Sequence, residues 1–276
     1  MLGTEATEER VDALREEMGL NRPLPQRYAQ WLIDFVQGDM GTSYSYHLPV
    51  RDLIVDKLPI TAAMTVMAFL FILILSIPIG ILCVRFENRL PDRILTAANQ
   101  AVMSIPPFFI GMLLTVLFGL TLHLFTPGQY ISYKNDFAGF LKYLILPSFA
   151  IALPKAAMTG KMLRSSLLAE MNQDYVRTAR SRGCGPWRIL LRHTFRNGIL
   201  PVITFLGVAV ADVIANSIVI EQVFGIPGLG RTLISSISKR DYPVVEAVIM
   251  LIAASILIIN TVVDLTYRKM DKRIQI

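Results

Sequence analysis

The chain has 276 residues, of which 53% are hydrophobic and only 17% charged, with a mean hydropathy of +0.51. A soluble domain of this length carries more charge, so the composition excludes one and indicates a polytopic membrane protein. The net charge of +6 does not indicate nucleic acid, because the basic residues flank apolar spans and form no single stripe, and no zinc-ligand spacing occurs.

Residues 1–58 are polar and acidic on balance. Thr7 is placed to cap a helix with Val11, Leu14 and Met18 on one face, stopping at Gly19. After Pro23-Leu-Pro25 a second helix groups Tyr28, Trp31, Leu32 and Phe35 and ends near Gly38. That aromatic face suits a membrane interface and the protein's own outer surface equally.

Five spans follow, each long enough to cross about 30 Å of hydrocarbon. The first runs from about Ile60 to Val84. The second, about Ile94 to Phe125, is interrupted by Pro106-Pro107, which cannot donate to the carbonyls of Val102 and Met103, so the helix kinks or breaks there. The third, about Phe140 to Leu163, contains Pro147, Pro154 and an unusual Lys155. The fourth and fifth run from about Gly198 to Val223 and from about Val244 to Tyr267. No internal repeat supports an inverted-repeat carrier, and the spans read as one domain.

Charge sets the expected topology. Residues 1–59 hold six Lys/Arg against ten Asp/Glu, whereas residues 161–196 hold eight against two and residues 267–276 four against one. The positive-inside rule places the last two regions in the cytoplasm, and five spans then leave the N-terminal segment outside. Cys83 and Cys184 lack metal spacing and read as small structural residues.

Between the third and fourth spans lies a basic island, residues 173–201. Asp174 is expected to cap a first short helix through its carboxylate and Gly183 to end it in the left-handed conformation. Pro186 suits the first position of a second helix, which Asn197-Gly198 closes. Trp187, Leu190, Leu191, Thr194 and Phe195 fall on one face of it and Arg188, Arg192 and Arg196 on another. The pattern fits a basic helix lying on anionic lipid as well as a docking surface for a cytoplasmic partner.

Elsewhere, Asp212, Asn216 and Glu221 interrupt the apolar fourth span, with Asp212 and Asn216 sharing a face. An unpaired carboxylate near midplane costs about 2.5–3.5 kcal/mol on insertion scales, so Asp212 is expected either to pair with Lys155 or to face a cationic group of the substrate. Ser104, beside the Pro-Pro break, is a weaker pore candidate that can instead bond its own backbone. The three histidines are dispersed, and no zinc-protease, nucleophile-elbow or Walker A sequence occurs, so the chain is not expected to hydrolyse ATP.

The run Asp174-Tyr-Val-Arg-Thr-Ala-Arg-Ser-Arg-Gly183, followed by His193-Thr-Phe-Arg-Asn197 and Leu200-Pro201, resembles the cytoplasmic coupling loop of ABC importer permeases in the dipeptide/oligopeptide/nickel branch. The resemblance extends over nearly the whole chain, through Gly41-Thr-Ser43, Arg164-Ser-Ser166, Pro227-Gly-Leu-Gly230 and Arg240-Asp-Tyr-Pro243. It implies an all-α membrane fold, a polytopic transmembrane helix bundle, with residues 1–58 as an extracytoplasmic amphipathic segment. Residues 59–276 would then be a permease domain carrying a cytoplasmic coupling loop over 164–197.

The family's first transmembrane helix has no counterpart here, which implies either a start further upstream or a shortened form. By the same resemblance Tyr175, Arg177, Thr178, Ala179 and Gly183 enter a cleft on an ATP-binding subunit, the small Ala179 permitting close approach. Ser104, Asp212, Asn216 and Glu221 are the candidates for the translocation pathway, with Glu221 and Phe224–Gly230 matching the family as an outer re-entrant or gate segment.

The implied partners are a second homologous permease, two cytoplasmic ATP-binding subunits, an extracytoplasmic solute-binding protein and membrane lipid, in a bacterial inner membrane. No cofactor is expected on this chain; ATP and Mg belong to the partner ATPases. Short peptides are the expected substrate, nickel or a metal chelate the alternative within the family, and an ion-coupled carrier the alternative outside it.

Overall fold

The computed structural model describes Asn21 and residues 23–270, apart from the side chains of Asp264 and residues 266–270. The helix expected between Thr7 and Gly19 and the basic tail at Lys272-Arg273 lie outside the described residues. The described chain is helices and connecting loops, with one isolated antiparallel bridge between Thr42 and Pro49.

α1 (Leu24–Gln37) stops where Gly38 takes φ = +93°. Its aromatic group forms, with the Trp31 ring centroid 6.2 Å from Tyr28 and 5.6 Å from Phe35. The face is divided: Phe35 packs onto Val50, Ile54, Leu229 and Val248, while Tyr28, Leu24 and Val36 stay exposed. α2 (Val50–Val55) leads into the bundle.

The bundle comprises α3 (Leu58–Arg85), α4 (Leu90–Met103), α5 (Pro107–Leu114, continuing as a π-helical stretch Thr115–Thr121) and α6 (Phe137–Met171). A connecting loop carrying α7 (Asp174–Ser181) and α8, which starts at Pro186, leads to α9 (Leu200–Phe224), α10 (Leu229–Ser238) and α11 (Tyr242–Met270). Four segments, Val50–Arg85, Phe137–Met171, Leu200–Phe224 and Tyr242–Val263, are long and apolar enough to cross a membrane, and the bent pair α4–α5 makes up to five.

The Pro-Pro sequence breaks the second span. α4 and α5 meet at 101°, because Pro106 and Pro107 have no N–H and the Val102 carbonyl accepts instead from Ile105, 3.2 Å away. α6, by contrast, runs unbroken through Pro147 and Pro154 for 35 residues. Its start is capped by Asp136, whose carboxylate accepts from the Gly139 N–H at 3.0 Å.

Lipid tails are as apolar as leucine, so close packing holds such helices together where burial from water cannot. α3 lies along α6 through Met64, Ala68 and Ile72 against Leu144, Ile151 and Leu163. Gly80 makes the approach possible: a Cβ there would sit 2.8 Å from Leu163 Cδ2. Gly207 does the same for α9 against α11, where a Cβ would meet Val263 Cγ1 at 2.6 Å.

The 25 residues of α9 rise about 37 Å. The bundle therefore has two distinct ends, one formed by the loop between α6 and α9 and the other by residues 226–241 with the segment around 42–57.

Candidate functional site

At the loop end, only Asn172 and Gln173 separate α6 from α7 (Asp174–Ser181). Gln173, not Asp174, occupies the capping position, and it makes no side-chain bond. Asp174 is the first helical residue, where its charge favours the helix N-terminus without capping it, and it pairs with exposed Arg177 at 3.4 Å. The helix ends as expected. Gly183 takes φ = +77°, its N–H bonds the Arg180 carbonyl at 2.9 Å, and the Cys184 N–H reaches back to Ala179 at 3.1 Å.

α8 begins at Pro186 (Pro186–Arg188), passes through a π-helical stretch Ile189–Thr194 and finishes as Phe195–Gly198. The π stretch changes the expected faces. Its wider turn brings Thr194 under Ile189, whose carbonyl accepts from the Thr194 hydroxyl at 3.2 Å, and Ile189, Leu190 and Thr194 are buried. Trp187 and Leu191, expected on the same face as Leu190, are exposed. Trp187 instead receives Arg85 from the end of α3, the guanidinium lying 5.5 Å from the ring centroid.

Asn197-Gly198 ends the helix as expected, though not through a left-handed residue. Gly198 is buried against Leu167, a Cβ there falling 2.7 Å from Leu167 Cδ2, and only Ile199 separates α8 from α9.

The five residues singled out for coupling are thus brought onto one short hairpin, with different roles. Val176, Ala179 and Ile189 form a small core between α7 and α8. Ala179 is 7% exposed, so the close approach it permits is to its own α8. Arg177, Thr178 and Gly183 are exposed. Tyr175 is half-buried and donates to Glu170 Oε2 at 2.5 Å; burial, then that bond to a carboxylate, pushes its phenol up from the ordinary value. Between the two helices opens a groove of about 480 Å³ lined by Tyr175, Thr178, Ala179, Arg182, Arg188 and Arg192 among others.

The span residues divide in the same way. Lys155 on α6 and Asp212 on α9 form an ion pair, with the Asp212 side chain still 48% exposed. Asn216 donates to the Asp212 backbone carbonyl at 2.7 Å, and Ser104 to the Gln100 carbonyl at 2.9 Å, so both bond their own helices.

Glu221 is fully buried at the far end. It accepts from the Thr61 hydroxyl at 2.6 Å and from the Arg231 N–H at 2.8 Å, while Thr61 accepts from the Leu229 N–H at 2.9 Å. Glu221 and Thr61 together satisfy the free N–H groups that open α10 and fix the Phe224–Gly230 turn, without Glu221 reaching a surface. Gly228 leaves room for this: a Cβ would lie 2.3 Å from Glu221 Oε1.

Two further polar clusters, not singled out from sequence, are as well made. Asp92 on α4 is buried and bound bidentately by Arg164 on α6. Asp241 is buried between α10 and α11 and accepts from the Ser43 hydroxyl at 2.5 Å and from the N–H groups of Tyr44 and Ser45 at 3.0 and 3.2 Å. Burial opposes its ionisation, but these donors outweigh burial and hold the carboxyl below its ordinary range. The signal for both lay in motifs already noted, Arg164-Ser-Ser166 and Arg240-Asp-Tyr-Pro243 with Gly41-Thr-Ser43, each half of a pair.

Residues 76–276 match the family described as binding-protein-dependent transport system inner membrane component, and residues 1–65 match its N-terminal companion. A probable peptide ABC transporter permease protein, y4tP, of Sinorhizobium fredii is 32% identical over 273 residues, covering 99% of this chain and 87% of that protein. The oligopeptide transport system permease protein AppB of Bacillus subtilis is 36% identical over 263 residues, covering 94% and 83%. Among solved structures, an inward-facing conformation of the MetNI methionine ABC transporter aligns with TM-score 0.64 at 17% identity, covering 79% of this chain and 96% of that one. At that identity the likeness speaks for the fold alone.

Proposed function

This chain belongs to the binding-protein-dependent transport system inner membrane component family, and on that premise we propose that it forms half of an ATP-driven import pore for short peptides. The observation that carries the coupling half of this reading is the α7–α8 hairpin. It is basic, exposed, internally packed, and joined to α6 by two residues and to α9 by one. A push on such an element reaches two spans with little slack, because packed elements transmit displacement where loose loops absorb it.

In this reading Arg177, Thr178 and the arginines around the groove meet a cytoplasmic ATP-binding subunit, guanidinium groups bonding its carboxylates and carbonyls. Tyr175, Ala179 and Gly183 keep the hairpin's shape. ATP and Mg reside on two such partner subunits, a related permease completes the pore, and a solute-binding protein delivers substrate from outside. The hairpin and the C-terminus face the cytoplasm of a bacterial inner membrane, with residues 1–58 outside, as the charge distribution favours. ATP-driven closure of the partner subunits moves the hairpins and opens the pore outward.

Peptide is favoured over nickel because the similar permeases are named for peptides. The Lys155–Asp212 pair is assigned to a protein-facing or wet surface of the pathway, since hydrocarbon opposite a half-exposed ion pair is costly.

Cysteine cross-linking tests the coupling role. The exposed Thr178 is the position to use, since Ala179 is covered by α8. With Cys83 and Cys184 replaced, Thr178→Cys is expected to cross-link to an ATPase subunit in native membranes with a yield that changes on adding ATP. No cross-link, with permease and ATPases both present and assembled, overturns the reading in favour of lipid contact and an ion-coupled carrier.

A further inference from the structure

At the end of the bundle opposite the hairpin, a cavity of about 170 Å³ opens between the start of α3 and the outer face of α10. Its walls include Tyr46, Lys57, Pro227, Arg231 and Ser235, and no carboxylate lines it. Lys57 is half-buried, and its ammonium has no hydrogen bond or ion pair to any described residue. The Arg231 guanidinium is held in place by the Gly225 carbonyl at 2.8 Å. At the rim the Lys239 ammonium donates to the Tyr46 hydroxyl at 2.8 Å.

Two cations, Lys57 and Arg231, therefore line one small space, and a third, Lys239, is bound to its Tyr46 wall. Three acids of the adjoining segments are already engaged: Glu221 with Thr61 and the α10 N–H groups, Asp241 with Ser43, Tyr44 and Ser45, and Asp56 with Lys134 at 2.7 Å. Like charges lining a cavity with no carboxylate in its wall repel one another, and donors held around it favour an anion. The cavity is well below the roughly 300–1,000 Å³ of small-molecule sites, so it admits a functional group and not a whole peptide.

We propose that this cavity receives an Asp or Glu side chain of the solute-binding protein that docks on this end, with Lys57 and Arg231 as its charge partners and Tyr46 as a hydroxyl donor. The assignment rests on the permease reading above, which puts this end outside the cell. The Lys57 and Arg231 contacts fix where the binding protein sits over the Phe224–Gly230 turn, and thus over the outer mouth of the pathway.

The test uses the assembled importer in lipid nanodiscs and its purified, fluorescently labelled binding protein at low and high salt. Lys57→Gln and Arg231→Gln are each expected to weaken docking about tenfold or more at low salt. Lys57→Arg should restore most of the affinity, and the difference from wild type should shrink as salt rises. All variants are checked for elution as the complete complex. Wild-type affinity in both Gln variants overturns the proposal. So does unchanged docking with reduced uptake, which would assign the cavity to a carboxylate of the substrate. If the wild-type complex contains no ATPase subunits and captures no binding protein, the permease reading itself has failed, a result distinct from either.

Discussion

Arg164 grips Asp92 with two parallel hydrogen bonds, Nε to Oδ1 at 2.8 Å and Nη2 to Oδ2 at 2.7 Å, joining α6 to the start of α4 at the hairpin end of the bundle. The same carboxylate accepts from the Asn88 N–H at 3.0 Å, so it also closes the turn between α3 and α4. Asp92→Asn keeps the shape and leaves the guanidinium without its counter-charge. It is expected to cost about 2–3 kcal/mol, below the usual range for a fully buried pair because Arg164 is partly exposed. Arg164→Lys loses the fork and should cost less. Thermal unfolding of the purified complex, run as a double-mutant cycle with Arg164→Gln, measures the coupling; additive losses would remove the pair from this role.

Lys155 and Asp212 answer a cost that either would impose alone. Lys155→Met and Asp212→Asn singly are each expected to lower the yield of assembled complex, by the equivalent of about 2–3 kcal/mol on insertion scales. The double neutralisation should recover most of it. If the double variant assembles and also transports normally, the pair stabilises the pathway wall without touching substrate. Recovery of assembly with loss of uptake places a charge in contact with cargo.

Acid should loosen the far end first. The folded pKa of Asp241 lies below the ordinary value of about 4, so its contribution is complete above that value and is lost as pH falls through the depressed one. Protease protection of residues 43–46 should persist at pH 5 and decline below about pH 4. Asp241→Asn should lose protection at every pH and abolish the decline. An unchanged acid profile in that variant would place the titrating group elsewhere.

Gly183 and Gly185 provide a paired comparison on the hairpin. A Cβ meets nothing within 4 Å at either, but Gly183 has φ = +77° and Gly185 φ = −68°. Gly183→Ala is therefore expected to strain the turn by about 1–2 kcal/mol through backbone conformation alone. Gly185→Ala should be neutral. Stimulation of ATP hydrolysis by the binding protein, and the cross-link from position 178, should fall in the first and hold in the second. Equal behaviour would mean that the shape of the turn is irrelevant to coupling.

The spans, the break at Pro106-Pro107 and the Gly183 terminus were legible because each rests on a local rule: apolar length, a missing N–H, a positive φ. The Lys155–Asp212 pair was legible because two opposite charges in adjacent apolar spans leave few alternatives. Other features depend on residues distant in sequence. Glu221 reads as a polar interruption of a span, and only the fold reveals that Thr61 and the start of α10 surround it. The 3.6-residue periodicity puts Trp187 and Leu191 on one face with Leu190 and Thr194, and the π stretch at Ile189–Thr194 does not obey that period. Asp174 and Gln173 differ by one position at a helix start, the least determinate feature of a sequence.

α6 is much longer than a membrane requires. Its 35 residues extend about 52 Å against a hydrocarbon thickness of about 30 Å, so about 20 Å of it stands clear of the lipid. If most of that excess lies on the hairpin side, the helix acts as a lever with unequal arms and its fulcrum in the bilayer. By that geometry a rotation of about 10° swings the hairpin about 6 Å while the opposite hydrocarbon boundary shifts by about 2–3 Å. Displacement is geared down and force is geared up. A thicker bilayer would shorten the free arm and lower that ratio, so the efficiency with which ATP moves the pore becomes a property of the membrane as well as of the protein.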